Sequence, residues 1–238
     1  CMGTEWIIII VVIAVAVLLC FLLAIANYAG ERFLEKYKAI DKIIAQTDLS
    51  PLEYIDMLNK KYFEEKLKVV QISNYAGDAY SKGKIFLSTN TINKKSLASF
   101  TIISHELGHA KQDKEGNKLK RLAFLRKFGK IIGFLMVPLL IAGAVLIVIG
   151  NNLFWLGVGL AGAGVLIFLI ALITKLMTIS IEKDASKNAI LFLQEILEGK
   201  QLKECKKFLK DARLTYWADF FRALFVWTAL SKKTKLFN

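Results

Sequence analysis

The chain has 238 residues, 55% of them hydrophobic, a mean hydropathy of +0.46 and a formal net charge of +13. Such a composition excludes an ordinary water-soluble domain, and a charged fraction of 22% excludes a protein made of membrane spans alone. The apolar residues must be gathered into blocks, leaving a polar part large enough to fold in water.

The first block, Trp6 to Ile25, is twenty residues without a charge. That matches the roughly 20 residues an α-helix needs to cross about 30 Å of hydrocarbon, so a transmembrane helix is predicted over 6–26. A cleaved signal peptide is the competing reading, because Ala24 and Ala26 form an A-x-A-like pattern. It fits less well: Glu5 precedes the block with no Lys or Arg, and the run exceeds the usual roughly 7–15 apolar residues. Cys1 ahead of Met2 carries no functional weight, and Cys1, Cys20 and Cys205 are too scattered for a disulfide framework or a CxxC metal site.

Residues 30–128 form the first polar region. Phe33, Tyr37, Ile40 and Ile44 recur at helical spacing among Lys36, Lys38, Asp41 and Lys42, predicting an amphipathic helix leaving the membrane. Ser50-Pro51-Leu52-Glu53 combines an N-cap serine, a proline at the first helical position and a glutamate at N3, so a second helix is predicted to about Phe63. Leu67–Ile72 and Lys84–Ser88 are short β-prone runs around the turn-rich Ser73–Gly83, predicting a small hairpin. Leu97–Gln112 returns to a helical pattern, capped by Ser96, and contains HELGHA.

From Ile131 to Thr174 no residue is charged, and Gly150-Asn151-Asn152 falls near the middle, predicting a transmembrane helical hairpin. Gly157, Gly159, Gly162 and Gly164 on its second arm either let helices approach closely or face lipid with no packing role. Residues 175–238 are predicted as cytoplasmic helices: one from Met177 to about Glu198, a Lys-rich one over Leu202–Leu209, and the apolar run 214–230. Asp219 and Arg222 within that last run point to a helix lying at the interface or packed on the domain.

The distribution of charge decides its meaning. All 33 Lys and Arg lie between Asn27 and Lys130 or from Lys175 onward. With three spans both stretches fall on one side, and the positive-inside rule makes that side the cytoplasm. The basic charge is thus explained by topology and attraction to anionic lipid, with no nucleic-acid partner.

His105 and His109 are the two histidines of the chain, four apart on one predicted helix, with Glu106 between them. One turn separates their imidazoles, about 5.4 Å of rise on the same face, so both can ligate a single Zn²⁺. A carboxylate at Glu106 beside such a metal can take a proton from an activated water and deliver it to a leaving amine. Gly108 costs about 1 kcal/mol in a helix interior relative to Ala, which points to close approach by another segment. With no further histidine, the third ligand must be a carboxylate. The hairpin returns the chain to the same side, where Glu182 and Asp184 are the first acids met. They point about 200° apart on a helix, so one of them ligates, and spacing leaves both open.

HELGHAKQ, a hydrophobic hairpin, EKDASKNA and LTYWA together resemble the neutral zinc metallopeptidases of bacterial membranes, over most of the chain from the SPLE helix to Tyr216. That family has HEVGHA-like and EFDAS-like motifs, and the resemblance implies Glu182 as the third ligand. It also implies a zincin-like α+β catalytic domain beside the three transmembrane helices, in a mainly α membrane protein. A DHYDP-like element of the family corresponds to Gly77-Asp78-Ala79-Tyr80, with Ala79 in place of its histidine and Asp78 and Tyr80 left to line a cleft. The resemblance further implies that the strand near Lys84–Ser88 pairs with an extended substrate. Tyr216, Tyr80 and Arg213 are the candidates for stabilising an oxyanion.

The expectation is a multi-pass protein of the cell membrane with a zinc endopeptidase site facing the cytoplasm, acting on peptides or membrane proteins beside the lipid bilayer. The alternative is a non-catalytic membrane protein that retains the fold around a structural metal. A transporter is disfavoured, because the predicted spans contain no charged residue.

Overall fold

The computed structural model describes residues 4–73 and 77–225. It is mainly helical, with a three-stranded sheet among the described residues. The chain divides into two compact units, one of Cys1–Glu115 with Glu182–Asn238 and one of Gly116–Ile181.

In the first unit, helix α1 (Thr4–Asp41) contains the whole Trp6–Ile25 block. Its polar half buries Phe33 and Ile40 as the periodicity predicts. Ile44 departs from that prediction: α1 ends at Asp41, and Ile44 is 73% exposed in a β-bridge opposite Ser96. Its backbone neighbours are the reason, since Ala45 N–H donates to Lys95 O and Leu97 N–H to Ile43 O, holding this stretch extended. Helix α2 (Pro51–Phe63) opens on the expected capping box, with Glu53 N–H donating to Ser50 Oγ at 3.3 Å and Ser50 N–H to Glu53 Oε2 at 2.7 Å.

The sheet corrects the expected hairpin. Strands β1 (Lys68–Ile72) and β3 (Lys84–Ser88) pair in parallel, and the hairpin is made instead by β2 (Ala79–Ser81) with β3, Tyr80 opposite Ile85. Lys82 and Gly83 form its two-residue turn with φ of +47° and +75°, the positive-φ pair whose twist suits adjacent antiparallel strands. Strand β3 lies in the middle of the order β1-β3-β2.

After the single turn α3 (Thr89–Asn93), helix α4 (Leu97–Glu115) is buried over most of its length, with Ser99 N–H donating to Ser96 Oγ at 3.2 Å as its cap. Burial on every side explains why HELGHA sits on a helix with no strong apolar stripe. Helix α8 (Gly199–Phe225) is continuous where a Lys-rich helix and a separate apolar run were expected; residues 226–230 lie outside the described ones. It packs on α1, with Phe208 stacked on Phe33 at 5.2 Å, Ala218 clustered with Ala29, and Arg32 paired with Asp211 at 3.3 Å.

In the second unit, α5 (Lys118–Ile132) and α6 (Met136–Ile149) are followed by Gly150 at φ +73° and the start of α7 (Phe154–Leu193). The predicted turn at Gly150-Asn151-Asn152 is present. Helix α7 also absorbs the helix expected to begin at Met177, because nothing from Thr174 to Leu193 breaks a helix. Gly157 and Gly164 lie in the seam with α6, where an added Cβ would come within 2.7 Å of Ile147 N and Leu140 Cγ respectively. Gly159 and Gly162 would meet nothing within 4 Å, so the four glycines divide evenly between packing and outward positions. Among the described residues two stretches are long and apolar enough to cross a membrane, Lys118–Ile149 and Asn151–Leu193.

Candidate metal centre

The site is built where α4 meets the last three turns of α7. The approach depends on Gly108: an added Cβ would stand 2.4 Å from Ala185 O, so only a residue without one lets the helices come this close. Asn188 Nδ2 donates to Gly108 O at 3.4 Å across the same seam. The expectation of a close neighbour at Gly108 is met by the backbone of Ala185. Ser104, just before the first histidine, is held by Tyr54 of α2, hydroxyl to hydroxyl at 2.8 Å.

Glu182 is the first residue of α7's final stretch, three before Ala185, and so on the same face. His105 Nε2 lies 3.1 Å and His109 Nε2 3.5 Å from one atom, Glu182 Oε2. The ligand atoms of all three residues fall within 4.8 Å of one another. Two ligands of a tetrahedral zinc at about 2.0–2.1 Å stand about 3.3 Å apart, so this donor set has the spacing and chemistry of a zinc site. Of the two acids left open by spacing, Glu182 is the one in the group. His109 is the more open member, its side chain 14% exposed against 4% for His105.

Burial pushes the Glu106 carboxyl up to about 8, helped by the nearby Glu182 and Asp78 carboxylates and opposed by His109 and by the Tyr80 N–H that donates to it. Burial would lower His109, but hydrogen bonding to Glu182 and the Glu182 and Glu106 charges outweigh it, and His109 rises to about 9. His105 is lowered, by burial above all.

Sequence reasoning missed one neighbour, Gln112, while Tyr80 and Asp78 were expected to line a cleft. Gln112 Oε1 lies 3.0 Å from His109 Nδ1, one turn along α4, which the spacing could have revealed. Tyr80 takes part through its backbone, while its hydroxyl donates to Asp113 Oδ2 at 2.8 Å and accepts from Gly83 N–H at 2.9 Å. Asp78 is buried and accepts from Ser88 N–H at 2.6 Å and Thr91 Oγ1 at 2.8 Å, tying the start of β2 to α3. Arg213 and Tyr216 are carried by α8. The strand Lys84–Ser88 is central in the sheet, with both edges already paired, which corrects its expected pairing with substrate.

A family model described as "Putative neutral zinc metallopeptidase" matches residues 9–231. The chain is 25% identical over 206 residues to the "Putative membrane protease YugP" of Bacillus subtilis (strain 168), covering 84% of this chain and 86% of that protein. No solved structure matches.

Proposed function

Since the chain belongs to the neutral zinc metallopeptidase family, we propose that it is a membrane-bound zinc endopeptidase with His105, His109 and Glu182 as ligands and Glu106 as general base. The observation that carries this reading is the convergence of three donors within 4.8 Å beside a buried carboxylate of the same helix turn. When bound, zinc supplies Lewis acidity, polarising a peptide carbonyl and making water more acidic. Glu106 takes the proton of the attacking water and hands it to the departing amine, with the Tyr80 N–H holding its carboxylate in place. Gln112 orients His109 through Nδ1, leaving Nε2 to face the metal position. An extended peptide pairing along the outer edge of β2, which packs on α4, would pass in front of Glu106.

The membrane part of the proposal adds Trp6–Ile25 to the two apolar stretches, giving three spans. All Lys and Arg then lie on the cytoplasmic side, and with them the polar region that carries the site. Substrates in this reading are peptides or membrane-protein segments reached from that side.

The test is zinc content per chain in detergent-purified protein, beside a His105→Ala, His109→Ala variant, paired with casein hydrolysis. About one zinc per wild-type chain, absent from the variant, with hydrolysis only in the wild type, is the expected result. No zinc after reconstitution at neutral pH would overturn the metal site, and zinc without hydrolysis of any unfolded protein would favour a structural metal.

Metal binding should also be proton-coupled. His109, raised to about 9, carries its proton at pH 7 and must lose it to ligate. Titration calorimetry at pH 7 in buffers of different ionisation enthalpy should therefore report release of at least about one proton per zinc, with affinity falling as pH falls. Binding enthalpy independent of the buffer would contradict this.

A further inference from the structure

We propose that α5 and the facing turn of α7 form a site for one anionic phospholipid, with Lys120 and Arg121 holding the head-group phosphate and Phe124, Leu125 and Met177 receiving an acyl chain. The proposal rests on the membrane reading above and is independent of peptidase activity. These five residues line a shallow, open groove within the second unit.

The groove surface is apolar, so Lys120 and Arg121 contribute their aliphatic stems to it and carry their charges beside it. Both are exposed, in a helix whose sequence KLKRLAFLRKFGKII has Lys or Arg at 118, 120, 121, 126, 127 and 130 and no acid. Beyond them runs an apolar strip. At about 100° per residue Phe124, Phe128 and Ile131 share one face, and Arg121 precedes Phe124 and Leu125 by one turn, so the strip begins at a guanidinium. Phe124, Phe128 and Ile131 are 67%, 42% and 57% exposed, and the two rings lie parallel with centroids 6.3 Å apart. Arg126 Nη2 donates to Thr178 Oγ1 at 3.1 Å, joining α5 to α7 next to Met177.

Two features identify the occupant. Lys118–Ile149 is a candidate membrane stretch of 32 residues. At 1.5 Å per residue that is about 48 Å against about 30 Å of hydrocarbon, so some of it extends beyond the hydrocarbon to head-group depth. The cations mark α5 as that part, since at that depth Lys and Arg are usual anchors. The second feature is the match of charge to shape. A phosphodiester offers paired oxygens to a planar guanidinium, and its own acyl chain continues along the apolar strip. A zwitterionic lipid would bring the chain but also a cationic head group, next to a helix with no acid to receive it.

The test uses the full chain in a neutral detergent, with phosphatidylglycerol, phosphatidylcholine and glycerol phosphate as probes, and native mass spectrometry to count bound molecules. Variants are Lys120→Gln, Arg121→Gln and, as a charge-matched control in the first unit, Lys38→Gln, Lys42→Gln. One saturable phosphatidylglycerol is expected, weakened about tenfold or more in the first variant and unchanged in the control, given about fivefold per surface cation. Phosphatidylcholine should bind at least about tenfold more weakly, and glycerol phosphate should not compete. Phe124→Ala should weaken phosphatidylglycerol while leaving the cations in place. Equal binding by both charge variants, equal binding of phosphatidylcholine, or competition by glycerol phosphate would each overturn the site.

Discussion

Replacing Glu106 by Gln is expected to lower casein hydrolysis about 10³-fold or more while leaving zinc content unchanged, general acid–base groups being worth about 10²–10⁴ in rate. The substitution is isosteric, and the amide oxygen can still accept from the Tyr80 N–H, so the site keeps its shape. It also removes a carboxyl that burial and the nearby Glu182 and Asp78 charges already disfavour in its ionised form. The melting temperature should therefore stay level or rise slightly. Loss of hydrolysis with full zinc and intact stability would assign the proton transfer to Glu106. Hydrolysis within about threefold of wild type would remove it from that role, because a general base worth so little is not one.

What could be read from the sequence was what short-range rules govern. The capping box at Ser50–Glu53, the cap at Ser96, the turn at Gly150 and the shared face of His105 and His109 each depend on a few consecutive residues, and each stands in the structure. The demands of Gly108 were legible because a glycine in a buried helix has a cost that some contact must offset. Long-range choices were not legible. Nothing in β1 or β3 states whether they pair in parallel, and the answer depends on three residues, Ala79–Ser81, too short to show a pattern of their own. Which of Glu182 and Asp184 stands with the two histidines depended on which face of α7 meets α4, a matter of packing that spacing could not decide. Ile44 misled for the same reason: its periodicity continued past the point where tertiary backbone pairing with Lys95 and Leu97 had ended the helix.

Gly108→Ala tests that packing directly, and its sign discriminates between two effects. Helix propensity alone would favour the alanine by about 1 kcal/mol. Against this, the new Cβ would stand 2.4 Å from Ala185 O, 3.1 Å from its carbonyl carbon and 3.2 Å from its Cα, all backbone atoms of a helix that has no flexible end to move aside. The helices must separate by somewhat under about 1 Å, and overpacking of this kind costs about 1–3 kcal/mol, more than propensity returns. Separation also carries Glu182 away from His105 Nε2 and His109 Nε2, now 3.1 and 3.5 Å from its carboxylate. The expected result is a melting temperature lower by several degrees and zinc affinity reduced about 10–100-fold, the usual cost of disturbing the support of a ligand. Gly159→Ala and Gly162→Ala, where nothing lies within 4 Å, should show neither effect. A Gly108→Ala protein more stable than wild type with unchanged zinc affinity would mean that α4 and α7 do not meet at Ala185, and the metal site built on that contact would fall with it.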